Sequence, residues 1–193
     1  MQDMKKKFAG VLVNMLEQKT LDKITIKDIV AACSVSRQAF YYYFDDIYDI
    51  VEWIFLGAAG KVLEDYSDID SWQFGYRSLM YWTKSHAKLV SNVYRSIQRE
   101  YIETFMNTAL RPYIDKVVEL QAKGMNVTQA QKEFIANYFT LSFNAVGLDW
   151  IRRGMQEEPD DIVRQLDILV KGDFQKALRN FEEANQAGSS RRS

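Results

Sequence analysis

Residues 25–44 read TIKDIVAACSVSRQAFYYYF. Thr25 is a helix-capping residue, and Asp28 follows three positions on, an acidic version of the capping box. Ile26, Ile29 and Val30 then fall at helical spacing, and the short helix they define ends at Cys33. Ser34 and Val35 make a tight turn. Ser36 caps a further short helix that ends near Phe44. Two short helices joined by so brief a turn form a helix-turn-helix.

The second of these helices has two unlike faces. At about 100° per residue, with Arg37 at the origin, Tyr41 falls at roughly 40°, Gln38 at roughly 100° and Tyr42 at roughly 140°. Ala39, Tyr43, Phe40 and Phe44 fill the opposite arc. Arginine can pair bidentately with guanine and glutamine with adenine. Ser36 and the amides at the helix start suit a phosphate. An ordinary amphipathic helix in a bundle could carry the same polar face. Three observations favour DNA. The helix is too short to stand without its neighbours. It follows a basic first helix. Its outward face carries two large tyrosines and no acid.

Upstream, residues 3–18 show a helical stripe of Met4, Phe8, Val11, Leu12, Met15 and Leu16. Residues 1–44 hold seven Lys or Arg against four acids, and the rest of the chain carries an excess of four acids. A positive head on an acidic body suits a protein that meets phosphates at one end. Downstream, Asp45 or Asp46 caps a long fourth helix reaching about Glu64. Its Ile47, Ile50, Val51, Ile54 and Phe55 could touch a head at one end and a body at the other. A polar loop is expected at 65–71. Helices follow near 72–87, 89–108, 111–123, 128–153 and 158–183, with breaks at Pro112, Gly124–Asn126 and Gly154–Pro159. The expected fold is all-α: an N-terminal three-helix head (1–46), joined through the fourth helix to a larger helical ligand-binding and dimerisation domain (47–186), with a disordered tail (187–193).

The 25–44 stretch resembles the N-terminal pattern of the TetR-like regulators, with Thr25, Asp28, Ile29, Val35, Ser36, Phe40, Tyr41 and Phe44 at matching positions. The run QAFYYYFDDIYDIVEWIF, with the later Trp72, further resembles the branch of dihydroxyacetone-kinase operon regulators. The resemblance implies that Thr25 binds phosphate at the start of the second helix. It also implies that Ser36, Arg37, Gln38, Tyr41 and Tyr42 face a double-stranded DNA operator, with Phe40 and Phe44 in the core. The chain departs from the pattern in several places, and Cys33 is one, standing where relatives have a small residue. Ser34 stands where relatives have a turn glycine, at a cost of about 1 kcal/mol if its φ is positive. Ile47, preceded by Asp45 and Asp46, stands where many relatives have a phosphate-binding lysine, which leaves Lys23 and Lys27 to anchor the backbone.

In the body, residues 134–150 are apolar on two sides, and a helix must bury both. One stripe holds Phe134, Tyr138, Leu141, Ala145 and Leu148; the other holds Ile135, Phe139, Phe143, Val146 and Trp150. The last helix offers a matching stripe that includes Leu166, Leu169 and Phe174. A two-fold homodimer interface is expected from Phe139, Phe143, Val146, Trp150, Leu166, Leu169 and Phe174, the arrangement the family resemblance also implies. An effector pocket, if present, is expected among Trp72, Tyr76, Trp82, Tyr94, Tyr101, Phe105 and Tyr138, although core filling explains any one of them as well. His86 could bind an effector, or sit solvated at a helix end.

The chain has one cysteine and one histidine. Without a second histidine, a cysteine pair or a glycine-rich phosphate loop, enzyme chemistry is not expected, and neither is a metal or cofactor. No run of 18 apolar residues and no signal-peptide pattern occurs, so a cytoplasmic protein without membrane partners is expected. The leading reading is a dimeric transcription regulator controlled by a small-molecule effector. Control by a protein partner, or a helical interaction module that has lost DNA binding, are the alternatives.

Overall fold

A computed structural model describes residues 2–63 and 72–190, and every regular element among them is helical. The order is α1 (Gln2–Leu16), a 3-10 turn (Leu21–Lys23), α2 (Ile26–Cys33), α3 (Arg37–Tyr41), α4 (Ile47–Leu63), α5 (Trp72–Ser85), α6 (Ala87–Tyr94), α7 (Arg99–Gln121), α8 (Gln129–Arg152), α9 (Pro159–Val170) and α10 (Asp173–Ser190). The expected 65–71 loop and residues 191–193 lie outside the described residues. No helix among those described is long and apolar enough to cross a membrane.

The helices pack into two compact units, Met1–Lys61 with Trp82–Phe105, and Val62–Tyr81 with Met106–Ser193. The first unit's N-terminal segment ends within α4, the helix along which the sequence pattern placed the boundary. In the first unit α6 docks on α1: Asn92 Nδ2 donates to the Leu16 carbonyl at 2.7 Å. That carbonyl is one of the acceptors a helix end leaves without an intrahelical donor. Nearby, Ser96 Oγ donates to Asp22 Oδ1 at 2.9 Å. The partners stand more than 70 residues apart in sequence, so no local pattern announces them.

Helix ends also differ from expectation. α7 runs through Pro112, which was expected to end a helix. An interior proline costs about 3 kcal/mol. The buried Leu110, Ile114, Val117 and Val118 of the same helix outweigh it at about 1.5–3 kcal/mol each. The expected single helix at 158–183 is two, because Gly172 takes φ 80° between α9 and α10. α10 then continues to Ser190, through the start of the expected disordered tail. Once nucleated, a helix extends at little cost per residue.

In the second unit α8 lies at the core, with its two apolar faces reversed from expectation. Phe139, Phe143 and Trp150, assigned to a dimer interface, are at most 4% exposed and pack inside the subunit together with Leu166 and Phe174. Phe139 stacks on Phe174 with ring centroids 3.8 Å apart. Phe143 takes the edges of Trp72 and Tyr76. The Trp150 indole N–H donates to the Glu157 carbonyl at 3.0 Å. The outward stripe is the other one, Phe134, Tyr138 and Leu141, and on α9 Ile168 and Leu169 are more than 70% exposed. Of the expected interface set, Leu169 is exposed and Val146 half-buried. Periodicity shows that both faces of such a helix are apolar; only tertiary packing decides which turns inward.

Candidate nucleic-acid interface

The head is built around an aromatic cluster. Phe8 of α1 meets Phe40 edge-on at 5.4 Å and Phe44 at 6.4 Å, and Phe40 meets Phe44 at 5.8 Å. Phe8 and Phe40 are fully buried. These rings fix the inner face of α3 and so turn its other face outward. Arg37 and Gln38 are exposed, as are Tyr41 at 53% and Tyr42 at 69%. Tyr41 leans edge-on against Phe40 at 5.7 Å, and Tyr42 against Tyr43 at 4.9 Å. The helical wheel and the structure therefore place the same four side chains on one open face.

The turn before α3 is tightly specified. Ser34 takes φ 55°, ψ 45°, so this non-glycine residue sits in the left-handed region. Val35 N donates to the Val30 carbonyl at 3.0 Å, closing α2 with the wide loop of a Schellman motif. Lys7 Nζ donates to the neighbouring Cys33 carbonyl at 2.9 Å. Ser36 Oγ accepts from Ala39 N at 3.2 Å and starts α3. Cys33 itself is 1% exposed, and burial pushes its thiol up from the ordinary value.

Thr25 begins α2 with the full capping box. Its Oγ1 accepts from Asp28 N at 3.2 Å and donates to Asp28 Oδ2 at 2.8 Å, and the same carboxylate oxygen accepts from Thr25 N at 2.9 Å. These bonds hold the Asp28 carboxyl below its usual range, the one from the Thr25 backbone contributing most. The Thr25 hydroxyl proton is thus committed inside the cap. Lys23 and Lys27 are exposed beside it and make no side-chain hydrogen bond or salt bridge among the described residues. At the start of α4, Asp46 Oδ1 accepts from Tyr48 N at 2.7 Å and Asp49 N at 2.9 Å. Asp49 Oδ2 reaches back to Asp45 N at 3.0 Å. Sequence reasoning missed one cation: Lys5 Nζ lies 5.0 Å from the centre of the Phe44 ring. A basic α1 was legible, but a contact with a ring so distant in sequence was not.

The residues expected to line a pocket are divided between the two units. In the second unit Tyr76 is buried, its hydroxyl donating to the Phe143 carbonyl at 2.8 Å, and Trp72 packs on the same Phe143. Tyr138 is 62% exposed and lines an open groove of about 230 Å³ between α8 and α10, with Phe134, Phe139 and Phe181. In the first unit, Phe55 meets both Trp82 and Phe105 edge-on at 5.8 Å. Tyr101 leans on Tyr48, and Tyr94 is half-buried on α6. Trp82 also stacks on His86 at 4.5 Å, and His86 Nδ1 lies 2.8 Å from the Trp82 carbonyl and 2.9 Å from Ser85 Oγ. Among the described residues no group of histidine, cysteine and acidic side chains could hold a metal ion.

A helix-turn-helix whose second helix turns arginine, glutamine and two tyrosines outward defines a DNA-binding head. Residues 12–54 match the bacterial regulatory proteins of the tetR family, and residues 70–172 match a transcriptional regulator C-terminal region of that family. The chain belongs to the TetR family and is a DNA-binding transcriptional regulator. It is 23% identical over 148 residues to the HTH-type dhaKLM operon transcriptional activator DhaS of Lactococcus lactis subsp. lactis (strain IL1403), covering 76% of this chain and 78% of that one. Among solved structures, a dihydroxyacetone kinase operon activator DhaS superposes with a TM-score of 0.64 at 20% identity, covering 92% of this chain and 97% of the other. The repressor AlkX from Dietzia sp. strain DQ12-45-1b, implicated in biodegradation of n-alkanes, gives a TM-score of 0.55 at 16% identity, covering 89% and 95%. These structures share its fold.

Proposed function

We propose that the chain is a homodimer that reads an operator with α3 of each subunit in successive major grooves. Arg37 and Gln38 contact base edges, and Tyr41 and Tyr42 flank them. Ser36, Thr25, Lys23 and Lys27 lie along the phosphate backbone, with Thr25 contributing once its hydroxyl is released from Asp28. The observation that carries this reading is the pinning of α3 by Phe40 and Phe44, which leaves Arg37 and Gln38 exposed on the opposite face. Replacing Arg37 with alanine removes about 1–3 kcal/mol per half-site and relaxes preference at one base position. Replacing Lys27 weakens all sequences alike and lowers the salt slope by about one per subunit. Binding to an operator selected from a random library, and to random DNA, across a salt series tests both. Unchanged affinity and base preference in Arg37→Ala would remove α3 as the reading element.

The second copy docks on the outward stripe of Phe134, Tyr138 and Leu141, with Leu169 of α9. The exposure of these apolar side chains supports that assignment, since large apolar surface marks a protein contact. A small-molecule effector acting on the C-terminal unit shifts the population away from the conformation whose heads match operator half-sites about 34–36 Å apart. The relative DhaS is named an activator and AlkX a repressor, and a reporter assay with the operator upstream of a promoter reads the sign of regulation for this chain.

A further inference from the structure

We propose that Lys5 and Lys6 of α1 hold the DNA phosphate backbone beside α3, in the place that the start of α4 cannot fill. This inference rests on the DNA-binding reading above and adds residues to it. The start of a helix is a natural phosphate site because its first amides lack partners and carry partial positive charge. In α4 two of those amides are already taken, since Asp46 accepts from both Tyr48 N and Asp49 N, and just before the helix Asp49 accepts from Asp45 N. Three carboxylates crowd the first turn, and Ile47 brings no charge. A phosphate approaching there meets repulsion and finds the amides of Tyr48 and Asp49 already engaged.

The neighbouring cations are on α1. Lys5 Nζ lies over the face of Phe44, 5.0 Å from its centre, and Phe44 immediately precedes the acidic turn. The ring holds the ammonium by its quadrupole without using an N–H donor, so the group is positioned in advance and its donors remain available. Lys6 is exposed beside it on the same first turns of α1. Neither makes a salt bridge or side-chain hydrogen bond among the described residues. Lys7 is different: its ammonium is engaged by the Cys33 carbonyl, so it serves the fold. Phe44 closes the ring cluster that pins α3, so Lys5 is tied to the same pivot as the reading face. A double-stranded phosphate backbone is the occupant that this charge pattern fits, since two ammonium groups without an acidic partner among the described residues lie on the helix whose Lys5 rests over Phe44, a ring of the cluster that pins α3.

The test uses full-length protein and two labelled duplexes: an operator selected from a random library by the unaltered protein, and a random sequence. Affinity is read across a salt series. Lys6→Gln should lower the salt slope by about 0.9 per subunit on both duplexes alike, and the Lys5→Gln, Lys6→Gln pair by about twice that. Base preference should not change. Lys5→Arg keeps the charge over the ring and should keep the slope. Asp46→Asn keeps the cap but removes a negative charge, so it should tighten both duplexes. Lys6 is exposed, so its variant reports even if loss of Lys5 disturbs the Phe44 contact. Slopes unchanged in folded Lys6→Gln and in the pair overturn the proposal. If Arg37→Ala still loses base preference in that case, the DNA reading stands and only the α1 contact falls. If the unaltered protein shows no salt-dependent binding to either duplex, the DNA reading falls with it.

Discussion

The hydroxyl of Tyr76 donates to the carbonyl of Phe143 at 2.8 Å, and the same oxygen lies 3.2 Å from the point where a Cβ on Gly147 would stand. Met106 Cε is 3.5 Å from that point. Burial pushes the Tyr76 phenol far up, so it stays a neutral donor at any ordinary pH. α8 thus carries a mid-helix glycine because a buried tyrosine needs its space.

This contact sets the sign of a substitution. Alanine in place of a helical glycine ordinarily gains about 1 kcal/mol. Here Gly147→Ala should lose stability, because Tyr76 is buried and hydrogen-bonded and cannot retreat. In a Tyr76→Phe background, where the hydroxyl is gone, the same alanine should become stabilising. Urea unfolding of the four proteins in this cycle measures it. A stabilising Gly147→Ala in the original background would show that Tyr76 yields easily and that the glycine has another cause.

The two apolar faces of α8 make opposite predictions. Tyr138→Glu places a charge on the outward stripe and should turn a dimer into a folded monomer in sedimentation at micromolar concentration. Phe139→Ala opens the interior of the subunit and should cost about 3–5 kcal/mol of stability. If Tyr138→Glu remained a dimer, the association face would lie elsewhere.

What was legible in the sequence, and what was not, follows from this helix and its neighbours. The α2–turn–α3 stretch could be read almost in full. Its caps, turn and wheel are short-range: Thr25 with Asp28, Ser36 with Ala39, Val35 with Val30. The choice between the faces of α8 was not legible, because it depends on Trp72, Tyr76 and Phe174 arriving from other helices. The break at Gly172 was missed because apolar periodicity continues across it. Pro112 misled in the opposite direction, since the buried residues around it hold α7 together.

Ser34 stands in the left-handed region with an exposed side chain. Ser34→Gly removes a backbone cost on the order of 1 kcal/mol and loses no packing, although a more flexible unfolded chain offsets part of the gain. A net rise in the urea midpoint is expected with DNA binding intact. An unchanged or lower midpoint would falsify the assigned strain.

Asp28 should titrate below its ordinary value of 3.8. A depressed folded-state value means that its contribution to stability is fully present above that value and disappears as pH falls through the lower one. Carbon-detected NMR of the side-chain carboxyl reads the midpoint directly. Thr25→Val should move it part of the way back up, because the bond from the Thr25 backbone, the larger cause, survives. A midpoint at or above 3.8 in the unaltered protein would mean that the capping box is open in solution.

The enclosed thiol of Cys33 makes the head a timekeeper of its own breathing. A neutral, covered sulfur is a poor nucleophile, so a thiol reagent can capture it only during moments when α2 lifts away from its neighbours. Because this is the chain's single cysteine, each modification event registers an opening of the reading head and of nothing else.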